Sequence, residues 1–155
     1  MRNPFRSAHS DPLPPAPPGL RSGSLLVRDV MTPHVQTIGR RAKLSEGAAK
    51  MKERGIMHLV VVDVAGRVCG VLSDRDVRGA QVDGSASPGA SSARVEDLMA
   101  HNPVTVRADD HVLEALEKMR TFKIGSLAVV DELGGAVGIV TGYDVVTLTL
   151  WLLGA

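Results

Sequence analysis

The chain has 155 residues and a mass of 16.4 kDa, which fits one compact domain or two very small ones and excludes two independent enzymatic domains. Hydrophobic residues make up 44% and charged residues 23%, a balance that excludes disorder throughout. The net charge of +1 makes no electrostatic case for nucleic acid or an anionic membrane as a partner. Cys69 is the single cysteine, which excludes a disulfide scaffold and favours a cytoplasmic protein.

Residues 1–24 lack the apolar stretch of a signal peptide, because the sequence D-P-L-P-P-A-P-P-G follows the first ten residues. Proline fixes its φ and donates no backbone hydrogen bond, so this composition predicts a disordered or polyproline-like arm. A docking peptide would have the same composition. The apolar run over residues 145–155 is about half of the roughly 20 residues that cross a bilayer, so no membrane association is expected.

One internal repeat organises the rest of the chain. Three pairs of aspartates mark it, each pair separated by 68 residues: Asp29 and Asp97, Asp63 and Asp131, and Asp76 and Asp144. The constant interval means that the unit contains no insertion or deletion, so two copies of one supersecondary unit lie in tandem. We place the first repeat at 25–80, a Gly- and Ser-rich linker at 81–92, and the second repeat with an apolar C-terminal helix at 93–155.

Within each repeat the hydrophobic period changes in the same order. Alternating residues predict a short strand at 35–38 and at 104–106. Apolar residues at i, i+4 and i+7 then predict an amphipathic helix, at Leu44, Ala48 and Met51 and again at Val112, Leu116 and Met119. Gly55 stands where a C-cap belongs, two β-rich runs follow around a glycine turn, and a second helix begins after Ser73 or Thr141.

These elements predict an α+β fold of two β-α-β-β-α repeats. A unit of this size is too small to close its own core, because one face of its sheet would stay uncovered. We therefore expect the two repeats to pack sheet to sheet as a pseudo-two-fold pair.

The motifs of each repeat resemble the cystathionine-β-synthase (CBS) domain, and the tandem resembles a CBS pair, or Bateman module. The resemblance rests on the M-T-P opening, the strands ending in V-V-D, and the closings G-V-L-S-D-R-D and G-I-V-T-G-Y-D. Many members carry proline ahead of V-V-D, where this chain has Val60 and Ala128. The resemblance implies a regulatory module that binds an adenosyl compound such as AMP, ADP, ATP or S-adenosylmethionine between the repeats and signals to a separate effector protein.

Two strand-to-helix turns, Ser73–Asp76 and Thr141–Asp144, are the candidate sites. The pattern [ST]-x-x-[DE] is that of a capping box, in which both side chains satisfy backbone N–H groups of a helix. A helix N-terminus also attracts phosphate, and a carboxylate can accept from both hydroxyls of a ribose. The resemblance implies ligand binding by Ser73, Asp76, Thr141 and Asp144, and the capping interpretation stays open beside it.

The resemblance implies further contacts to the base and the phosphates. The edge of the first strand points to Val35, Thr37, Val104 and Thr105, which could equally be ordinary strand residues. His58 stands where similar pairs carry a basic residue, and Arg75 could pair with a phosphate or be solvated. Ser126 and Tyr143 replace them in the second repeat. We therefore predict that the cleft beside Asp76 is the more cationic one and prefers the more highly phosphorylated ligand.

The motifs do not support an enzymatic function. The five histidines show no metal-ligand spacing, and the chain has no G-x-S-x-G elbow and no Walker loop. The glycines at 134–138 match the hairpin turn of the first repeat and precede a strand, whereas a dinucleotide fingerprint precedes a helix. We expect no enzyme, no obligatory cofactor and no metal. An aromatic content of 3% argues against a base-stacking surface for nucleic acid.

The C-terminal run is too apolar for one helical stripe. Its large apolar residues are Val145, Val146, Leu148, Leu150, Trp151, Leu152 and Leu153. We expect part of this surface to be a protein interface, because an exposed apolar patch lowers solubility, and a CBS pair implies a homodimer. The alternative to a ligand sensor is an interaction or oligomerisation module in which both turns only cap helices.

Overall fold

The computed structural model of the chain describes residues 13–18, 20, 24–82 and 93–154. Most of the predicted arm and most of the predicted linker, at 1–24 and 81–92, lie outside the described residues. The proposed domain boundaries therefore stay predictions.

The two repeats contain the same elements in the same order. The first repeat consists of α1 (Val27–Val30), β1 (Thr32–Pro33), β2 (Thr37–Gly39), α2 (Leu44–Arg54), β3 (His58–Val62), β4 (Val68–Ser73) and α3 (Asp74–Val82). The second consists of α4 (Val95–Leu98), β5 (Ala100–His101), β6 (Thr105–Arg107), α5 (Val112–Phe122), β7 (Ser126–Val130), β8 (Ala136–Thr141) and α6 (Gly142–Leu152). The predicted β-α-β-β-α order is confirmed, and each repeat adds a short helix and a two-residue strand before it.

Each repeat gives its first strand to the sheet of the other. The sheets have the orders β2-β3-β4-β5 and β1-β8-β7-β6, with β2 parallel to β3, β6 parallel to β7, and all other pairs antiparallel. Thr32 of β1 pairs with Ile139, and Ala100 of β5 pairs with Val71. This exchange ties the two repeats together, and the sequence did not predict it.

Glycine makes room for the exchanged strands. A β-carbon added at Gly138 would lie 2.6 Å from Sδ of Met31 and 3.0 Å from the carbonyl oxygen of Thr32. At Gly70 the added carbon would collide with the side chain of Met99, which holds the place of Met31 in the other repeat. Glycine permits this close approach of two strands, and it stands at both positions.

The repeated aspartates satisfy backbone groups. Asp29 and Asp97 accept from the backbone N–H groups of Leu26 and Arg94, at 2.9 and 2.7 Å, ahead of α1 and α4. Asp63 and Asp131 each accept two backbone N–H groups in the hairpin turns that follow β3 and β7. Their spacing in the sequence therefore marks where helices and turns begin.

Three apolar layers hold the pair together. One cluster lies between each sheet and its helices, around Leu59 and Leu72 in one repeat and Leu127 and Val140 in the other. A third cluster lies between the sheets and consists of Val60, Val71, Ala128 and Ile139 with partly buried neighbours. The predicted packing of sheet on sheet is confirmed. The valine and alanine that replace the family's proline are fully buried in this central layer.

Candidate functional site

A cleft of about 530 Å³ opens between the two repeats. Small-molecule sites have volumes of roughly 300–1,000 Å³, so the cleft can hold a nucleoside-sized ligand. Its lining from the first repeat comprises Met57, His58, Val71, Ser73, Asp74, Arg75 and Asp76. Its lining from the second repeat comprises Ala100, His101, Asn102, Pro103, Val104, Phe122, Ile124, Gly125 and Ser126. A ligand in this cleft would contact both repeats.

The turn between β4 and α3 forms one side of the cleft. Oδ2 of Asp76 accepts from the backbone N–H of Ser73 at 2.9 Å and from its hydroxyl at 2.5 Å. The backbone N–H of Asp76 in turn donates to Oγ of Ser73 at 3.2 Å. These reciprocal bonds are a capping box, so the capping interpretation of Ser73 and Asp76 is correct as far as it goes.

The cap leaves half of the Asp76 carboxylate unused. Both bonds from Ser73 reach Oδ2, and Oδ1 has no hydrogen-bond partner among the residues that the structure describes. Asp76 is half-buried at the wall of the cleft. Capping and ligand binding are therefore compatible, because each uses a different oxygen of the same carboxylate.

Backbone contacts fix this turn against the neighbouring loop. The N–H of Asp74 donates to the carbonyl oxygen of Met57 at 2.9 Å, and His58 pairs with Ser73 across β3 and β4. The Asp74 side chain forms an ion pair with Arg78 one turn further along α3. Opposite these residues, Asn102 has a φ of 47°, a left-handed conformation that asparagine tolerates better than most residues. This bend carries the chain from β5 across the cleft to Val104.

The cleft is not cationic. Burial lowers the pKa of His58, and the nearby carboxylates of Asp76 and Asp74 oppose this shift only in part. His58 is accordingly neutral at pH 7. The other ionisable groups of the lining are the carboxylates of Asp74 and Asp76, the imidazole of His101 and the exposed guanidinium of Arg75. The predicted preference of this cleft for the more highly phosphorylated ligand gains no support from these charges and stays a prediction.

The matching turn of the second repeat lies elsewhere. Oδ2 of Asp144 accepts from the backbone N–H of Thr141 at 2.7 Å and from its hydroxyl at 2.9 Å, so the cap is the same. Burial raises the pKa of Asp144, and the hydrogen bonds from Thr141 oppose this shift. Asp144 borders a crevice of about 10 Å³ against Leu148, which is too small for a nucleoside.

The predicted base contacts divide between the cleft and the strands. Val104 lines the cleft, whereas Val35, Thr37 and Thr105 do not. Val35 packs against the apolar layer between the sheets. The carbonyl oxygens of Thr37 and Thr105 accept from Nζ of Lys50 and Lys118, at 2.7 and 3.2 Å.

Several lining residues were missed by sequence reasoning. They are Met57, Val71, Asp74, Ala100, His101, Asn102, Pro103, Phe122, Ile124 and Gly125. Most of them come from the opposite repeat, and only the exchange of β1 and β5 shows which loop of one repeat faces which turn of the other. Phe122 and Met57 stay more than half exposed, at 57% and 59%. They give the mouth of the cleft an apolar rim.

Metal clusters and membrane-spanning helices are absent from the described part of the chain. Within 13–18, 20, 24–82 and 93–154, no group of three or more His, Cys, Asp or Glu side chains is placed to hold a metal ion. No helix in the described part of the chain has the length and apolar character to cross a membrane. Cys69 lies half-buried in β4, and burial raises the pKa of its thiol.

Comparison with known sequences matches both repeats to one family. The model of the CBS domain matches residues 27–83 and 95–149. A CBS domain-containing protein of Dictyostelium discoideum is 32% identical over 137 residues, which cover 83% of this chain and 94% of that protein. The homoserine O-acetyltransferase of Methanohalobium evestigatum is 31% identical over 119 residues, but these span only 23% of that enzyme.

Solved structures share the fold. The CBS domain pair of protein MJ0100, in complex with 5′-methylthioadenosine and S-adenosyl-L-methionine, superposes with a TM-score of 0.72 at 27% identity and covers 81% of this chain and 99% of that chain. CBSX2 of Arabidopsis thaliana in complex with AMP superposes with a TM-score of 0.70 at 26% identity and covers 83% and 98%. The predicted fold class, two α+β repeats packed as a pair, is confirmed.

Proposed function

Because the chain belongs to the CBS domain family, we propose that it is a regulatory module that binds an adenosyl compound in the cleft beside Asp76. The observation that carries this proposal is that Asp76, whose cap uses only Oδ2, lines a cleft of nucleoside size at the N-terminus of α3. The complexes of the two similar CBS pairs with adenosyl compounds support it.

The residues of the cleft suit the parts of such a ligand. Oδ1 of Asp76 would accept from the hydroxyls of the ribose, and the cap on Oδ2 would hold the carboxylate in place for it. Val71, Val104 and Ile124 offer apolar surface to the base. The N-terminus of α3 and Arg75 face the end of the cleft where a first phosphate would be favoured.

The charges of the cleft lining predict an order of affinity among the candidate ligands. The lining holds two carboxylates and one guanidinium, and Asp74 is already paired with Arg78. A triphosphate needs a cationic surplus that these residues do not supply. We therefore expect AMP, 5′-methylthioadenosine and S-adenosylmethionine to bind more tightly than ATP.

The position of the cleft explains how binding would be transmitted. Ligand atoms would contact both repeats, so the ligand would favour the relative arrangement of the repeats that fits it best. Such a difference in affinity between two arrangements is what a regulatory signal requires. We therefore propose a regulatory role for the module, with its effector on another protein. The cytoplasmic location stays a prediction.

We also propose that the module is a homodimer. Tyr143, Val146, Leu150 and Leu153 recur at helical spacing along one side of α6 and are all exposed. Exposed fractions of 69% for Tyr143 and 79% for Leu153 leave most of this stripe in contact with water. A second copy of the same stripe would cover it by two-fold symmetry.

A ligand-free interaction module is the second candidate function. The complete capping boxes at both turns favour it, because each motif already has a structural role. In that case the apolar stripe of α6 would carry the whole function. Calorimetry separates the two candidates.

The deciding experiment titrates the full chain with AMP, 5′-methylthioadenosine, S-adenosylmethionine and ATP. Asp76→Asn keeps an acceptor for the cap but replaces the free carboxylate oxygen by an amide, so we expect the affinity for the bound ligand to fall about tenfold or more. Asp144→Asn is the matched control and should bind like the wild type. Absence of heat and of thermal stabilisation with all four compounds would overturn the proposal in favour of the interaction module.

A further inference from the structure

The C-terminal end of α6, about two turns from Asp144, touches the N-terminal arm. Nε1–H of Trp151 donates to the backbone carbonyl oxygen of Pro14 at 2.9 Å, across 137 positions of the chain. Trp151 is half-buried at the end of α6. This hydrogen bond fixes one point of the arm on the second repeat.

A second point of contact lies six residues further along the arm. Leu20 packs against the apolar cluster of Leu25, Val112 and Leu148, which Trp151 also joins. The backbone N–H of Leu20 donates to the carbonyl oxygen of Pro17 at 3.3 Å, which turns the segment toward the cluster. Pro17 and Leu20 are half-buried, whereas Pro14, Pro15 and Ala16 are exposed. The segment therefore contacts the helices at both ends and faces water between them.

The chemistry of the contact is that of polyproline recognition. Residues 13–20 read L-P-P-A-P-P-G-L, with four prolines. A polyproline II segment makes no internal hydrogen bonds, so its carbonyl oxygens are available to a donor, and its preformed shape lowers the entropy cost of binding. An indole offers that donor together with a flat apolar face.

We infer that Trp151, Leu148, Val112 and Leu116, here named the Trp151 surface, form a binding site for a polyproline segment, and that residues 13–18 and 20 of the same chain occupy it. The arm is then a cover for one side of α6. The exposed stripe of Tyr143, Val146, Leu150 and Leu153 lies on another side of the helix and stays free for a second copy. The inference does not depend on ligand binding in the cleft.

The chain offers its own probe, because Trp151 is its single tryptophan. Acrylamide quenching of its fluorescence and its one indole N–H resonance both report the state of the Trp151 surface in the full chain. In Pro14→Ser/Pro15→Ser we expect the quenching constant to rise about twofold and the indole resonance to shift, because the segment loses its preformed shape. Pro4→Ser/Pro12→Ser is the matched control, with the same substitutions elsewhere in the arm, and should behave like the wild type.

A second variant tests the contact from the helix side. Trp151→Phe keeps an aromatic ring but removes the donor, so the backbone amide resonances of Ala16 and Leu20 should move toward random-coil positions while those of β7 and β8 stay. Random-coil positions for Leu20 in the wild type, or equal quenching in all proline variants, would overturn the inference. Protection of Trp151 that is lost on dilution would overturn docking within one chain, since it would assign the segment to a second copy.

Discussion

The two repeats have the same elements and the same caps, yet their strand-to-helix turns face different surroundings. Ser73–Asp76 lines a cleft of about 530 Å³, whereas in the turn Thr141–Asp144 only Asp144 borders a crevice, of about 10 Å³. The hydrogen bonds within the two turns are nearly identical. The comparison teaches that the capping motif builds the turn, while the residues packed around it decide whether a ligand can reach the carboxylate.

The second helices of the repeats, α3 and α6, also differ in the residues on their outer sides. Arg75 and Arg78 lie on the outer side of α3, where Tyr143 and Val146 lie on α6. All four side chains are exposed, so burial cannot explain the change from cationic to apolar. The first repeat thus supplies a candidate ligand site, and the second supplies candidate contact surfaces.

Reversing the difference between the two helices should give the largest effect. Val146→Arg gives α6 the residue that α3 carries at the same position, and it places a charge in the proposed two-fold contact. We expect the dimer dissociation constant to rise by about tenfold to a hundredfold, since burial of a valine is worth about 1.5–3 kcal/mol. Sedimentation equilibrium measures this constant. Leu133→Arg, in an exposed hairpin turn, is the control, and a monomeric wild type would refute the contact.

Substitution of the glycine beside each exchanged strand should destabilise the fold by a similar amount in both repeats. Gly70→Ala and Gly138→Ala each add a carbon where a methionine and a backbone oxygen already lie, and we expect a loss of about 1–3 kcal/mol in the free energy of unfolding. Urea denaturation measures it. Gly39→Ala is the control, because nothing lies within 4 Å of a β-carbon there. A loss in only one repeat would show that the two exchanges are not equivalent.

Periodicity and spacing were enough to predict the architecture. The apolar residues of α2 and α5, the cap at Gly55 and the constant interval predicted two repeats, and in the structure Gly55 has the expected left-handed φ of 62°. Lys123 holds the same place in the second repeat with a φ of 54°, which its side chain does not favour. The sequence did not predict that conformation, because a lysine gives no signal for a left-handed C-cap.

The strand exchange and the full lining of the cleft could not be predicted from the sequence. β1 and β5 have two residues each, too few for a period of two to show, so nothing in the pattern of Thr32–Pro33 or Ala100–His101 indicated a strand. Without the exchange, Asn102 and Phe122 could not be assigned to the turn at Asp76. The residues on the motif itself, Ser73 and Asp76, were predicted because one local cap defines them.

His58 provides a smaller, pH-dependent difference between the repeats, since Ser126 replaces it in the second. Burial lowers its pKa, so the folded state favours the neutral form and loses stability as pH falls below the ordinary value of 6.5. A bound phosphate would favour the imidazolium form of His58, so phosphate binding would be coupled to the uptake of a proton by His58. The affinity for AMP should therefore rise several-fold as pH falls from about 7.5 to about 6.

The ionisable neighbours of His58 in the cleft are Asp74, Asp76, Arg75 and His101, so the comparison needs matched variants and ligands. Calorimetry with 5′-methylthioadenosine, which has no phosphate, should show no such rise. His58→Gln should reduce the rise for AMP, and what remains belongs to the phosphate itself, whose second pKa is about 6, and to the other ionisable groups of the lining. An unchanged pH profile in His58→Gln would mean that His58 does not face the phosphate.

The smallest expected effect is a difference in the free energy of unfolding between variants of Asp76 and of Asp144. Burial raises the pKa of Asp144 above its ordinary value of 3.8, so the folded state favours the protonated form, and the free energy of unfolding falls as pH rises from 3.8 through the raised pKa. At pH 7 Asp144→Asn removes a disfavoured charge while its amide oxygen still accepts from Thr141. We expect it to match or slightly exceed the wild type, whereas Asp76→Asn should lose about 0.5–1 kcal/mol of helix N-terminal charge interaction. Urea denaturation at pH 7 compares them, and a larger loss in Asp144→Asn would mean that the enclosed carboxylate, not the open one, stabilises its helix.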